Sequence, residues 1–131
     1  MKVISVFLCD DTAELRELTR FCLEESDDLR VVGEAADAST GVEQIGELRP
    51  DVVLLDLSMP GISGLEAIRM IRVASPETAI VILSGMSRKR VADVCIALGA
   101  SDFVEKREPV ERVRFAVRAA AGEETAPEVG W

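Results

Sequence analysis

Five short apolar runs alternate with five amphipathic segments, and this alternation constrains the fold more than any other feature. The runs are VISVFL (3–8), LRVVGEA (29–35), DVVLL (51–55), TAIVIL (78–83) and DFV (102–104). Most lack polar–apolar alternation, as parallel strands covered on both faces do. Between them, apolar residues recur at helical spacing: Leu15, Leu18 and Cys22; Val42, Ile45 and Leu48; Leu65, Ile68 and Ile71; Val91, Val94, Cys95 and Leu98; Val110, Val113 and Val117. Each set marks one helix face. Punctuation agrees. Asp11 with Glu14 has the spacing of a capping box, and Asp37 and Ser87 suit N-caps. Gly99 and Gly122 fit positions just past a helix end, and Pro109 fits a first helical turn. The order βαβαβαβαβα with short connections predicts a three-layer α/β fold, a parallel sheet with right-handed crossovers.

The chain has 131 residues, a length for one domain that can bury its own core. No apolar run approaches the ~20 residues of a membrane span. The opening MKVISVFLCDD runs into acids where a signal peptide needs small residues, so we read it as a buried strand of a cytoplasmic protein. A net charge of −9 argues against a nucleic-acid-binding surface on this chain. Cys9, Cys22 and Cys95 form no CxxC pattern and are expected to be buried structural thiols. The absence of histidine excludes Ser-His-Asp and Cys-His catalysis and histidine metal sites. We expect one domain over residues 1–122, with 123–131 a flexible tail or linker stub.

Ligands of an open parallel sheet bind beyond the carboxyl ends of its strands. Asp10 and Asp11 follow the first strand, Asp56 the third, Ser84 and Gly85 the fourth, and Lys106 lies just past the fifth. Taken singly, each has a plainer use: Asp11 as a cap, Asp56 in a turn, Ser84 as a loop hydroxyl, Lys106 as a solvated cation. Taken together, they converge on one sheet edge. Two carboxylates ~4 Å apart repel by about 4 kcal/mol at an effective dielectric near 20, so three must hold protons or recruit a cation. The donors are all hard oxygens, which favours Mg²⁺ or Mn²⁺. Such a pocket can accept a phosphoryl group on Asp56, with Lys106 and Ser84 on its oxygens.

CDD (9–11), LLDLSMPGISG (54–64), LSG (83–85) and VEK (104–106) together resemble the receiver domain of two-component response regulators. Their style resembles receivers that precede LuxR/NarL-type helix-turn-helix output domains. The resemblance covers roughly residues 2–121 and implies a flavodoxin-like (βα)5 fold with sheet order 2-1-3-4-5. It implies that Asp56 accepts phosphate from a sensor histidine kinase. Asp11, Asp56 and the Ser58 backbone carbonyl would ligate the metal, with Asp10 acting through water. Ser84 matches the switch hydroxyl, Gly85 offers a backbone N–H, Lys106 matches the family lysine, and Phe103 falls on the aromatic switch position with an expected inward bias. Two departures stand out. Lys106-Arg107-Glu108-Pro109 replaces the family's Lys-Pro, so a cis bond after Lys106 is left open. Ser58 and Met86 occupy the positions that tune dephosphorylation, and neither offers an acid or amide to orient water, so a long-lived phosphoryl group is expected.

For output, Phe115 lies opposite the buried stripe of the last helix beside Arg112, a candidate interface and route to a homodimer. Ser87-Arg88-Lys89-Arg90 is either a solvated basic face or a surface for an acidic partner. A DNA-binding domain would have to belong to a longer parent protein. Two other readings stay open. One is a phosphorylation-independent interaction module. The other is an aspartate-nucleophile phosphohydrolase, disfavoured because Ser58 stands where its general acid belongs. A flavin-binding relative is disfavoured by the acids after the first strand, which would repel a phosphate.

Overall fold

The apolar run VVLL has no polar position because both of its faces are covered. Successive residues of a strand point to opposite sides, and here Val52 and Leu54 enter one core while Val53 and Leu55 enter the other. The computed structural model describes residues 2–123. Its strands are β1 (Ile4–Cys9), β2 (Leu29–Ala35), β3 (Val52–Leu55), β4 (Ala79–Ser84) and β5 (Asp102–Glu105). They form one parallel sheet in the order β2-β1-β3-β4-β5. The helices between and after them are α1 (Ala13–Glu24), α2 (Ala38–Leu48), α3 (Gly64–Ala74), α4 (Arg88–Leu98) and α5 (Val110–Ala120).

The helices divide between the faces. Ile45 of α2, Ile68 and Ile71 of α3 and Cys95 of α4 pack on Phe7, Val53, Ile80 and Phe103. Leu23 of α1 and Val113 and Val117 of α5 pack on Ile4, Val6, Leu54 and Val104. The chain thus reverses its winding beside β1 and β3, which places the ends of those strands at the crevice where such sheets bind ligands.

Local signals account for most boundaries. Asp37 accepts a bond from Thr40 N at 2.8 Å, Ser63 from Glu66 N at 3.1 Å and Ser87 from Lys89 N at 3.2 Å, each capping a helix. After β3 the chain turns through Gly61 at φ 86°, a conformation that favours glycine. Gly64 opens α3 against Leu57: a Cβ there would lie 2.5 Å from the Leu57 Cα, so only glycine lets the helix start so close to the β3–α3 loop.

Several expectations are corrected. The capping box does not form: α1 is preceded by Thr12 without a side-chain cap bond, and Asp11 lies outside the helix, exposed. Leu18, Leu48 and Val94, expected on buried faces, are 57%, 49% and 46% exposed, because each lies at the margin of its stripe. Cys9 and Cys95 are buried, but Cys22 is only partly so. Burial, then the Asp37, Asp10 and Asp56 charges, push the Cys9 thiol up to about 12. No cis peptide bond occurs among the described residues, so Lys106–Arg107 is trans. Pro109 sits one residue before α5 rather than inside it. Of the expected tail 123–131, all but Glu123 lies outside the described residues.

Arg118 of α5 donates two bonds to Asp28 ahead of β2, at 2.7 and 2.9 Å. The Arg118 bonds hold the Asp28 carboxyl below the usual carboxylate range. A depressed folded value contributes stability that is complete above the ordinary pKa and is lost as pH falls through the folded one. Asp28→Asn is therefore expected to cost about 0.5–1 kcal/mol in urea unfolding at pH 7. The gap between the two proteins should close below about pH 4; a gap that persists or widens in acid would contradict this.

Candidate functional site

Asp56 is the first residue past β3 and only 3% exposed. Its position is set by backbone bonds: its N–H donates to the Cys9 carbonyl at 2.9 Å, and its Oδ1 accepts from Ser58 N at 3.1 Å. Asp10 follows β1, is 8% exposed, donates its N–H to the Ala35 carbonyl at 3.1 Å and accepts from Thr12 N at 2.9 Å. Asp11 beside it is exposed. Carboxylate oxygens of Asp10, Asp11 and Asp56 all lie within 4.8 Å of one another. At that separation each charged pair repels by at least about 3 kcal/mol at an effective dielectric near 20.

Lys106 offsets part of this. Its N–H donates to the Ser84 carbonyl at 2.7 Å, which fixes the stem beside β4. Its ammonium reaches Asp10 Oδ2 at 3.1 Å and Asp56 Oδ2 at 3.2 Å. Burial opposes the charge, but the hydrogen bond to Asp10 and the attraction of Asp56 outweigh it and raise the Lys106 pKa above its ordinary value. The remaining oxygens form a hard, anionic donor set on two rigid strand ends, suited to a small divalent cation. Among the described residues this is the one group of three or more potential ligands brought together.

Ser84 closes β4, fully buried, its hydroxyl accepting from Met86 N at 3.0 Å. Gly85 follows at an open spot, where a Cβ would meet nothing within 4 Å. Gly85, Ser87, Glu105, Lys106 and Arg107 line a pocket of about 380 Å³. Phe103 is fully buried and packs in the core on the α2–α4 side of the sheet. Phe115 is 46% exposed. Arg112 instead turns its guanidinium to Asp102, with bonds of 3.0 and 3.1 Å, and lies 3.6 Å from Glu108.

Two networks escaped the sequence reading. Helix α4 begins with Arg88, Lys89 and Arg90 and has no acid in its first turn, an unfavourable arrangement at the positive end of a helix. Glu105 compensates: its carboxylate accepts from Arg88 N at 2.7 Å, and this bond, with the Arg107 side chain, holds it below the usual range. The Arg88 guanidinium donates to the Phe103 carbonyl and lies 5.8 Å from that ring's centroid. The start of α4 is thus tied to β5 just beyond Ser84. The second network joins Arg16 and Arg20 of α1 to Glu34 of β2. Its only sequence signal is a glutamate inside an apolar strand facing arginines one helical turn apart.

Comparison with known proteins agrees with this geometry. The model of the response regulator receiver domain family matches residues 6–118. Chemotaxis protein CheY of Listeria monocytogenes is 31% identical over 119 residues, 91% of this chain and 99% of that one. A protein-glutamate methylesterase/protein-glutamine glutaminase of Myxococcus xanthus is 38% identical over 104 residues, 79% of this chain but 30% of that protein. The chain therefore spans less than a third of that relative's length. A crystal structure of a LuxR-family two-component response regulator from Aurantimonas sp. superposes with a TM-score of 0.85 at 33% identity, covering 93% of this chain and 88% of that one. No helix among the described residues is long and apolar enough to cross a membrane. With the 2-1-3-4-5 sheet, the acidic edge and these matches in agreement, the chain belongs to the response regulator receiver domain family, the signal-receiving module of two-component systems.

Proposed function

We propose that this domain receives a phosphoryl group on Asp56 from the phosphohistidine of a sensor histidine kinase, in a reaction that depends on Mg²⁺ or Mn²⁺. The observation that carries this reading is the meeting of Asp56 with Asp10, Asp11 and the Lys106 ammonium at one strand edge. An Asp56 carboxylate oxygen attacks phosphorus, the phosphorus–nitrogen bond of the donor breaks, and the electron pair leaves on the donor imidazole. The product is an acyl phosphate. Asp11, Asp56 and the Ser58 carbonyl would hold the cation, with Asp10 acting through water. When bound, that cation neutralises charge building on the phosphoryl oxygens. Lys106 moves from pairing two carboxylates to pairing the new oxygens, and Ser84 and the Gly85 N–H supply hydrogen bonds.

The added charge of about −1.5 to −2 then biases a two-state equilibrium. Because Phe103 is already inside, the change starts from Ser84, whose hydroxyl accepts from Met86 N and keeps its own O–H to donate to the phosphoryl group. The domain extends over residues 1–122 and works in the cytoplasm as a signalling module without turnover. It serves either alone or as the input half of a longer transcription regulator. Phe115 makes α5 the candidate surface for a homodimer. Arg112 contributes little charge there, since Asp102 and Glu108 already engage it.

With Mg²⁺ and acetyl phosphate, intact mass is expected to show one added phosphoryl on the wild-type chain and none on Asp56→Asn. No adduct on the wild type, or an equal adduct on the variant, would overturn the assignment. In a chase without donor, the label should persist well beyond seconds, because neither Ser58 nor Met86 offers an acid or amide to orient an attacking water. Complete loss within seconds would contradict this.

A further inference from the structure

Strand β2 changes face halfway along. Val31 pairs with Val6 and joins the α1/α5 core, whereas Ala35, four residues on, pairs with Cys9 and joins the opposite core. An uninterrupted strand would place both on one side, because side chains alternate with a period of two. The register breaks where Val31 partners Val6 and Gly33 partners Phe7, leaving Val32 as the extra residue of a bulge. In consequence Glu34, the partner of Leu8, turns toward α1. Bulges commonly re-aim a side chain beside a functional site.

Two arginines meet it there. Arg16 Nε donates to Glu34 Oε1 and Arg20 Nη2 to Glu34 Oε2, both at 2.7 Å. The Glu34 carboxyl is held below the usual range by its bonds to Arg20 and Arg16. Arg16 goes further: its Nη1 donates to the backbone carbonyl of Asp10 at 2.6 Å. The Arg16 side chain is only 17% exposed, and it lines one small cavity together with Asp10 and Asp56. The β1–α1 loop carries two carboxylates that Asp56 repels, and Lys106 offsets only part of that push outward. A guanidinium clamped by Glu34 and bonded to the Asp10 carbonyl opposes that movement. The forked geometry makes both bonds at once, which a lysine cannot reproduce.

We propose that Arg16 is a positioning residue of the acidic cluster: held by the bulge-directed Glu34, it fixes the Asp10 backbone and thereby sets the Asp10 and Asp11 carboxylates against Asp56. The inference rests on the divalent-cation role proposed above for that cluster. The test is Mn²⁺ titration of the full chain, followed by the electron paramagnetic resonance of free Mn²⁺, alongside urea unfolding of each variant. Arg16→Gln is expected to weaken Mn²⁺ binding about tenfold, and Glu34→Gln by less. The double variant should bind no more weakly than Arg16→Gln, because the two residues act in series. Arg16→Lys carries the same expectation should Arg16→Gln fail to fold. Asp28→Asn, which removes an ion pair elsewhere, should lower stability and leave Mn²⁺ affinity unchanged. Folded Arg16 variants that bind within about twofold of wild type would overturn the inference, since a cation's supporting contacts normally cost more. Equal weakening by Asp28→Asn would overturn it too. Wild type that binds no Mn²⁺ removes the divalent-cation reading and this inference with it; wild-type binding with unchanged variants removes this inference alone.

Discussion

Mutual repulsion among three carboxylates at one sheet edge is the constraint on which the rest of this molecule depends. Asp10, Asp11 and Asp56 bring oxygens within 4.8 Å of one another, two of them on residues almost excluded from water. A fold tolerates that only if the backbone cannot relax and positive charge lies close by. The backbone is held because β1 and β3 are central strands, bonded on both sides and packed between two helical layers. The charge comes from Lys106, delivered from β5 across the β4 edge by its N–H bond to Ser84.

Around this centre the contacts fall into two groups. In one, Glu34, turned toward α1 by the bulge in β2, pairs with Arg16 and Arg20, and Arg16 also bonds the Asp10 carbonyl of the loop that carries the acid pair. In the other, Arg88, Glu105 and Phe103 tie the start of α4 to β5 beside Ser84. Among the basic residues there, Arg88 is less free than its sequence suggests, since its guanidinium donates to the Phe103 carbonyl and lies 3.6 Å from Glu108. A change at Ser84 therefore meets a helix start held by a few polar bonds rather than by deep apolar burial. Such segments open at low cost compared with the core.

The sequence revealed what depends on local pattern. Strands buried on both faces must read as apolar runs, so VVLL and AIVIL were unmistakable, and the residues after them could be placed on one edge before any coordinates. Ser84, Lys106 and the three aspartates all lie at that edge. Stripe margins were less legible: Leu18, Leu48 and Val94 have the right spacing, but how far a neighbouring element covers them is a tertiary property. Asp11 showed the reverse ambiguity. Its spacing to Glu14 suggested a cap, whereas the helix starts after Thr12 and leaves the carboxylate to the cluster. The bulge at Val32 and the Arg16–Glu34–Asp10 chain were barely legible, because they depend on the register between β1 and β2, for which Glu34 in an apolar strand is the only local sign.

Chemical trapping of the phosphorylated domain tests the central claim most directly. Borohydride reduces an acyl phosphate to an alcohol, converting a phosphorylated aspartate to homoserine that peptide mass spectrometry can locate. After treatment with acetyl phosphate and Mg²⁺, the account predicts homoserine at position 56 and nowhere else. Homoserine at position 10 or 11, or unreduced aspartate at 56 in protein that carries a phosphoryl group, would contradict it.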